Sequence, residues 1–451
     1  MTEKKARDLF ASRLGILAAT LGSAVGLGNI WKFPALTGQN GGASFLLVYL
    51  LSTLVAGLPL MIAEMTIGRS TRTNAFRAFT KLTERRCWWL VGGMGIVAAV
   101  IILAFYSDVA GWVFAYIPKA LSGAIATQDP KTAQTIFTAL LDDPLQSLGW
   151  QWLVLGITAA IIMRGASAGI EKATRILIPL LFLLLVVVCI RSLTLPNAVE
   201  GLRFLFMPDF GRIDSSVILM ALGLSFFKMS IGFGCMITYG SYFQSDTNIP
   251  VLAIRVMLCD LLVSILAGIA VFPAVFSFGF EPTEGTSLLF LTIPAVFASM
   301  PGGVLFTVLF FVLSAVASIG AMLSLMEVPV SWAVDTFRLQ RQKATLLVLV
   351  GVICLGIPAA LGTNVLGKIS LFGLSLFDMY DFLSSNLLLP IGGLLLSLFV
   401  GYVWDRKSFE IALSNGGTLH NGMVIRLLIR CCQTVTPVLI LLILLHGLHI
   451  L

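Results

Sequence analysis

Ala24–Pro34 reads AVGLGNIWKFP and decides the fold, because it interrupts an apolar stretch of membrane length. Leu14–Leu21 before it is helical in character, and the apolar pattern resumes at Phe33. Gly26 and Gly28 lie between, and glycine permits backbone angles that other residues avoid. In hydrocarbon an unwound stretch persists only where protein or a water-lined cavity supplies partners for its freed amides and carbonyls. Such a break presents a half-helix N-terminus, partially positive, beside carbonyls of the preceding half. It is a site for a small anion or zwitterion at membrane depth. Taken alone, the two glycines are equally well a helix-packing pair.

Ser225–Gly240 (SFFKMSIGFGCMITYG) repeats the feature with Gly232 and Gly234. Two glycine-interrupted spans in corresponding positions of two halves point to an inverted-repeat transporter whose site lies between the broken helices.

Composition agrees. Hydrophobic residues make up 58% of the 451, charged residues only 11%, and mean hydropathy is +0.99. Soluble domains carry about a quarter charged residues, so the chain reads as a polytopic membrane protein. Met1–Arg13 is polar and basic, and the first apolar stretch is long enough to span, so no signal peptide is expected. The seven cysteines follow neither metal-ligand nor disulfide-framework spacing. His420, His446 and His449 cluster near the C-terminal end, and no nucleophile–base constellation is visible. The reading is therefore not an enzyme, with no metal and no cofactor.

The hydropathy predicts an all-α protein with eleven spans, near 13–37, 43–69, 88–117, 149–164, 174–192, 214–241, 251–279, 302–337, 344–362, 375–404 and 423–448, at about 20 apolar residues each. Residues 129–143 and 196–214 are expected as external loops, and 281–300 as a re-entrant external hairpin. Most Lys and Arg residues fall in loops on the N-terminal side. The opposite loops hold Lys119, Lys131, Arg191, Arg203, Arg212 and Lys368, while Lys32 and Lys228 stay within spans. The positive-inside rule then places the N-terminus in the cytoplasm and, with an odd span count, the C-terminus outside. The net charge of +7 is topological and implies no nucleic-acid partner. A single transmembrane domain, 1–451, is expected, with five-helix repeats at 10–195 and 210–405 and an eleventh helix at 423–448.

The ordered motifs resemble those of the neurotransmitter:sodium symporter family, with the broken-helix fold of the bacterial leucine transporter. They are SRLGILAATLGSAVGLGNIWKFP, NGGASFLLVYLL, AFYSDVAGW, GIEKATRILIPLLF, SLTLPNAVEGLRFLFMPDF, FFKMSIGFG, SLMEVPVSW and FDMYDFLSSNLLLPIGG, and they cover nearly the whole chain. The resemblance implies a secondary active transporter working by alternating access in a bacterial inner membrane, as a monomer or weak dimer. It implies substrate binding at Ala24, Gly26, Leu27 and Gly28, with backbone amides holding a carboxylate and the Tyr106 hydroxyl donating to it. Gly26 stands where amine transporters of the family have aspartate, which implies a substrate bringing its own carboxylate: an amino acid. Ile102, Phe105, Phe227, Ser230, Phe233, Ala321 and Leu325 would form the side-chain subsite, which suits an aliphatic or aromatic group. For Phe105 ordinary packing is the favoured reading. Lys32 and Asp381 would close an external gate through water, and Arg7 and Asp335 an internal one, with Phe10 in place of the usual tryptophan. Glu64 would satisfy amides at both helix breaks.

The ion sites depart from the resemblance. The family uses two sodium ions, and hard cations need oxygen ligands. The first site would comprise Ala24 and Asn29, but Lys228 and Cys259 stand at its hydroxyl and amide positions. The second would comprise the Gly22, Val25 and Ala317 carbonyls, but Gly320 and Ala321 replace its hydroxyls. Of the chloride locus only Tyr49 is kept, with Leu224 and Val263 elsewhere, so chloride dependence is not expected. A lysine within a span costs about 2.5–3.5 kcal/mol on insertion scales, and intramembrane ionisable groups are functional candidates by default. Three readings of Lys228 stay open: a group that pairs with the substrate carboxylate and carries a proton, a permanent cation replacing sodium, or a side chain snorkelling away. Asp108 and Asp260 are candidate acid partners, Asp260 the better placed. The expected function is import of a hydrophobic amino acid, sodium-independent and proton-coupled. A sodium-coupled symporter with altered sites, an uncoupled exchanger and a substrate-binding sensor are the alternatives.

Overall fold

In the computed structural model of the chain, the described residues are 8–279, 288–448 and 450. Helices α1 (Arg13–Ala24) and α2 (Gly28–Gln39) form one pair bent by 52° at the Gly-Leu-Gly stretch. The spanning helix α3 (Ala43–Thr71) is followed by short α4 (Ala75–Leu82) and long α5 (Arg86–Leu121). Then come α6 (Pro130–Asp142), α7 (Pro144–Ile162), α8 (Ala166–Leu193) and α9 (Ala198–Phe206). The second break separates α10 (Ser215–Lys228) from α11 (Cys235–Gly240). The chain continues through α12 (Ile249–Ser277), α13 (Leu289–Ala298), α14 (Gly303–Phe337) and α15 (Arg341–Leu361). A two-stranded ribbon pairs Ser370–Leu371 with Leu374–Ser375, and α16 (Leu376–Val403), α17 (Arg406–Leu413) and α18 (Gly422–Gly447) complete the chain.

Among the described residues nine helices are long and apolar enough to cross a membrane, or ten with the bent pair. The expected sixth span is present only as α10 and α11, of 14 and 6 residues, neither long enough alone. The segments 129–143 and 196–214, expected as loops, contain α6 and α9. Asp129 caps α6 by accepting from the Lys131 and Thr132 amides, with Pro130 at the first helical position. The fourth span starts at Pro144, about five residues earlier than expected, because Asp143 caps it through the Leu145 and Gln146 amides. The loops are polar at their ends, but the cap-then-proline signal marks helix starts that hydropathy alone overlooks. Of the expected re-entrant hairpin, 281–287 lie outside the described residues, and its second part is α13.

The two breaks differ physically. At the second, Ser230, Gly232 and Gly234 all have positive φ (55°, 91° and 73°), so the glycines there supply left-handed backbone. At the first, neither Gly26 nor Gly28 has positive φ, contrary to the expectation of unusual backbone angles. Those glycines provide room instead. A Cβ on Gly26 would lie 3.0 Å from the Tyr106 hydroxyl and 3.0 Å from the Ala321 Cβ, and one on Gly28 3.4 Å from the Lys228 Cγ.

Helices α5 and α14 pack along one another, and α14 also packs against α1 and α11 of the two broken pairs. Their buried residues belong to one large apolar cluster. A second, smaller cluster gathers Phe33, Phe45, Tyr49, Leu224 and Phe272 where α2, α3, α10 and α12 meet.

Candidate functional site

A small cavity of about 30 Å³ lies between the breaks. Ser23, Ala24, Gly26 and Gly28 line it from the first break, Ile102 and Tyr106 from α5, and Phe227, Lys228, Ser230 and Phe233 from the second break. Ala321, Ser324 and Leu325 close it from α14, where spacings of three and four put them on one helix face. Every expected substrate residue lines this cavity except Leu27, whose amide instead donates to the Tyr106 hydroxyl at 2.9 Å, and Phe105. The Phe105 ring packs edge-on against Phe377, 5.5 Å between centroids, which is the packing reading. Ser23 and Ser324 were missed, although Ser324 stands three residues beyond Ala321 on the same face.

The freed backbone groups find side-chain partners. The Gly26 amide donates to Asn29 Oδ1 at 3.2 Å, and the Gly232 amide donates to Glu64 Oε1 at 2.8 Å. Glu64 is thus bonded to the second break only. At the first break the Gly26 and Leu27 amides are served instead by Asn29 and Tyr106. The breaks are tied to each other by serines. Ser230 Oγ donates to the Ser23 carbonyl at 2.8 Å, and Ser23 Oγ donates to Ser230 Oγ at 3.2 Å. A left-handed non-glycine residue costs about 1–3 kcal/mol unless its surroundings hold it, and this pair of bonds holds Ser230.

Beside the cavity lies a buried charge cluster. The Lys228 side chain borders Gly28 with its stem, while its ammonium, fully buried, ends 3.2 Å from Asp260 Oδ2. The ammonium also donates to the Tyr49 hydroxyl at 2.8 Å and to Ser264 Oγ. It lies 4.7 Å from the Tyr49 ring centroid and 5.2 Å from that of Phe33. Asp260 accepts in addition from Asn29 Nδ2 at 2.7 Å and from the Tyr49 hydroxyl at 3.1 Å. One lysine, one carboxylate, an amide and two hydroxyls therefore satisfy one another inside the protein, and the snorkelling reading of Lys228 is excluded. A buried pair of this kind persists only with such additional hydrogen bonds.

Two broken helices crossed at a common cavity, backed by α5 and α14, now stand beside the sequence motifs. A family model described as Sodium:neurotransmitter symporter family matches residues 7–135 and 143–450. The chain belongs to that family. It is a family of secondary transporters, not of enzymes. The chain is 39% identical over 416 residues to a protein of Bacillus subtilis (strain 168) named uncharacterized sodium-dependent transporter YhdH, covering 92% of each. It is 33% identical over 459 residues to an uncharacterized sodium-dependent transporter of Haemophilus influenzae, covering 99% of each. Its fold is similar to the crystal structure of MhsT in complex with L-phenylalanine, with a TM-score of 0.90 and 39% identity, over 98% of this chain and 100% of that one.

Within this symporter-family chain, the ion-site expectations need correction at α12. Asp260 and Ser264, four residues apart, occupy the helix face turned to Asn29 and Lys228. Cys259 and Val263 sit one position earlier, about 100° round a 3.6-residue turn. Cys259 is half-buried and Val263 packs in the apolar core. The expected assignment was off by one because a gapless alignment cannot sense helix phase. Asp108 does not partner Lys228. It is fully buried between α5 and α7, where Ser147 Oγ lies 3.4 Å from Oδ1 and Oδ2 has no partner among the described residues.

At the second ion position, Gly320 brings α14 against α1. A Cβ there would lie 3.0 Å from the Gly22 carbonyl oxygen. Ala317 and Val25 are buried in the same contact. The two residues expected at an external gate are in direct contact rather than bridged through water: Lys32 Nζ lies 3.2 Å from Asp381 Oδ1 and 4.3 Å from the Phe227 ring centroid. Lysine reaches as a flexible point charge, and the Phe227 face steadies it. Ser385 Oγ donates to the same Asp381 oxygen at 2.7 Å. Of the internal pair, Arg7 lies outside the described residues, and Asp335 accepts from the Asn74 amide and side chain at 3.1 and 2.9 Å. Phe10 is buried edge-on to Tyr239 and Tyr242, each 5.7 Å away. Tyr242 in turn donates to Glu327 at 2.5 Å, which Arg341 also contacts at 2.5 Å. Sequence reasoning had no role for Glu327 or Arg341.

Proposed function

We propose that the protein imports a hydrophobic amino acid by alternating access, with the Lys228 ammonium in place of the first sodium ion and a proton gradient as the driving force. The observation that carries this reading is the position of the ammonium. It is held by Tyr49, Asp260 and Ser264, beside Asn29, a residue expected at the first ion position, while the lysine stem borders the cavity. An embedded positive charge there can be exchanged by loss of its proton, as a bound cation is exchanged by dissociation. The apolar cavity walls at Ile102, Phe227, Phe233 and Leu325, and the L-phenylalanine held by MhsT, support a hydrophobic amino acid. Its carboxylate would meet the first break and the Tyr106 hydroxyl. The proposed setting is a bacterial inner membrane, with the N-terminus cytoplasmic and the C-terminus outside.

A second reading is sodium coupling, favoured by the printed names of the Bacillus and Haemophilus relatives. Uptake of labelled hydrophobic amino acids into proteoliposomes, with sodium and proton gradients imposed separately, separates the two. Accumulation without sodium, driven by an inward proton gradient and lost in Lys228→Thr, is the expected result. A strict sodium requirement in the wild-type protein refutes it.

A further inference from the structure

The loop between α15 and α16 carries the most exposed large hydrophobic side chain among the described residues, Phe372. Residues 362–377 read GTNVLGKISLFGLSLF, with Lys368 as their only charge. Both ends of the loop are tied down. Asn364 Nδ2 donates to the Leu141 carbonyl of α6 at 2.6 Å. Ser375 caps α16, its Oγ accepting from the Asp378 amide at 3.1 Å and donating to Asp378 Oδ2 at 2.7 Å. Between these ties Leu371 pairs across the ribbon with Leu374, so Phe372 and Gly373 form a two-residue turn. Both have positive φ, 55° and 82°. Asparagine and glycine are the usual residues of such a turn, and a bulky side chain there is strained. Phe372 holds this conformation while 99% exposed, so no packing within the chain offsets the strain.

Val365, Ile369 and Leu371 are exposed beside it, and an exposed apolar patch of this kind marks an interaction surface. Its occupant follows from where the ribbon stands. Both α15 and α16 are long and apolar enough to cross a membrane, so the loop joining them lies at a membrane surface. The chain enters it from the outside of the helix bundle, because α15 leaves Val350 and Leu355 exposed along its length. Apolar and aromatic side chains with a single cation and no acid are suited to a lipid interface. The rings and aliphatic groups enter the boundary between headgroups and acyl chains, while the cation stays among the phosphates. We propose that the Leu371–Phe372 tip inserts into the interfacial region of the adjacent lipid leaflet, with Lys368 against a phospholipid phosphate. Removal of the ring from water then answers for the strained turn. The Ser375 cap carries this anchor into α16, whose Asp381 meets Lys32 six residues further on. The lipid contact therefore fixes the end of the helix that bears Asp381.

The experiment places an indole at the tip, as Phe372→Trp and separately as Leu371→Trp, so that the test stands where one variant fails to fold. The full-length protein is reconstituted into vesicles of phosphatidylcholine and phosphatidylglycerol, with gel filtration before reconstitution as the folding control. The emission added by the new indole is read as the difference from the wild-type protein. It is expected to lose most of its intensity when the phosphatidylcholine is brominated near the headgroup end of one acyl chain. Acrylamide supplied on both sides of the membrane should remove little of it. Loss to acrylamide with none to brominated lipid overturns the proposal, because the tip then stands in water. Shielding from both quenchers overturns it as well, and assigns the tip to a protein partner such as a second copy of the chain. Phe372→Asn added to Leu371→Trp suits the left-handed turn but removes the ring, so the indole should move from lipid quenching toward acrylamide quenching. Unchanged lipid quenching in that double variant would overturn the anchoring role of Phe372.

Discussion

Lys228 and Asp260 test the reasoning most directly, because both side chains have zero exposure and each is the other's charged partner at 3.2 Å. Removing one member of a buried pair leaves an uncompensated charge in low dielectric, which costs about 3–5 kcal/mol. Asp260→Asn leaves the ammonium among neutral groups only, the Tyr49 and Ser264 hydroxyls and an amide oxygen, so it belongs at the upper end. Lys228→Met leaves Asp260 with donors from Asn29 and Tyr49 at 2.7 and 3.1 Å, so it belongs at the lower end. At about 2 °C per kcal/mol for a large chain, each single variant should unfold on the order of 6–10 °C below wild type. The double variant buries no net unpaired charge. It should recover about 2–3 kcal/mol relative to the sum of the singles, the coupling typical of residues in direct contact. Thermal unfolding in detergent, followed by a thiol-reactive or tryptophan signal, gives the four values of the cycle. Complete burial also predicts that the coupling is the same at low and high salt, since screening acts on solvated charges. Additive single effects, with a coupling under about 0.5 kcal/mol, would refute the assigned pair.

Three further outcomes follow from single contacts. Glu64→Ala should destabilise by about 1–3 kcal/mol by orphaning the Gly232 amide, while Glu64→Gln, which keeps an acceptor oxygen, should unfold close to wild type; equal losses would assign the effect to charge. Asp108→Asn should keep wild-type uptake and thermal stability, because Asp108 has no cation partner among the described residues, whereas a fall of several degrees would reveal one. Gly320→Thr should destabilise by about 1–3 kcal/mol, because its Cβ would press on the Gly22 carbonyl at 3.0 Å; unchanged stability would show that α1 and α14 can separate there.

A pH prediction concerns the exposed cap of α6. Hydrogen bonds from the Thr132 hydroxyl and amide hold the Asp129 carboxyl below the usual carboxylate range. A depressed folded value means that the cap's contribution is complete above the ordinary carboxylate range and is lost as pH falls through the depressed value. Protection of the α6 amides relative to their intrinsic exchange rates should therefore be present at neutral pH and fall on acidification, and in Asp129→Ala it should be low at both.

Much of the fold was legible in the sequence because membrane helices announce themselves by apolar length, and glycine pairs in mid-span announce breaks. The cavity followed for the same reason: Gly26, Tyr106, Phe227 and Ala321 stand at recognisable motif positions, and the structure brings them together. Helix phase was not legible. Cys259 and Asp260 are neighbours in the chain, and only packing of α12 against α2 and α10 decides that Asp260 and Ser264 face Lys228. The direction of the lysine was likewise undetermined, since a four-carbon stem reaches substrate, ion position or interface equally well from one backbone site. The Ser23–Ser230 tie depends on the two breaks meeting, a relation between distant segments. The sequence by itself determined a membrane-embedded helical chain with two breaks and one anomalous charge, because apolar length and glycine position act locally. Tertiary structure alone decided what that charge pairs with, because a buried ion is settled by the groups that surround it in three dimensions.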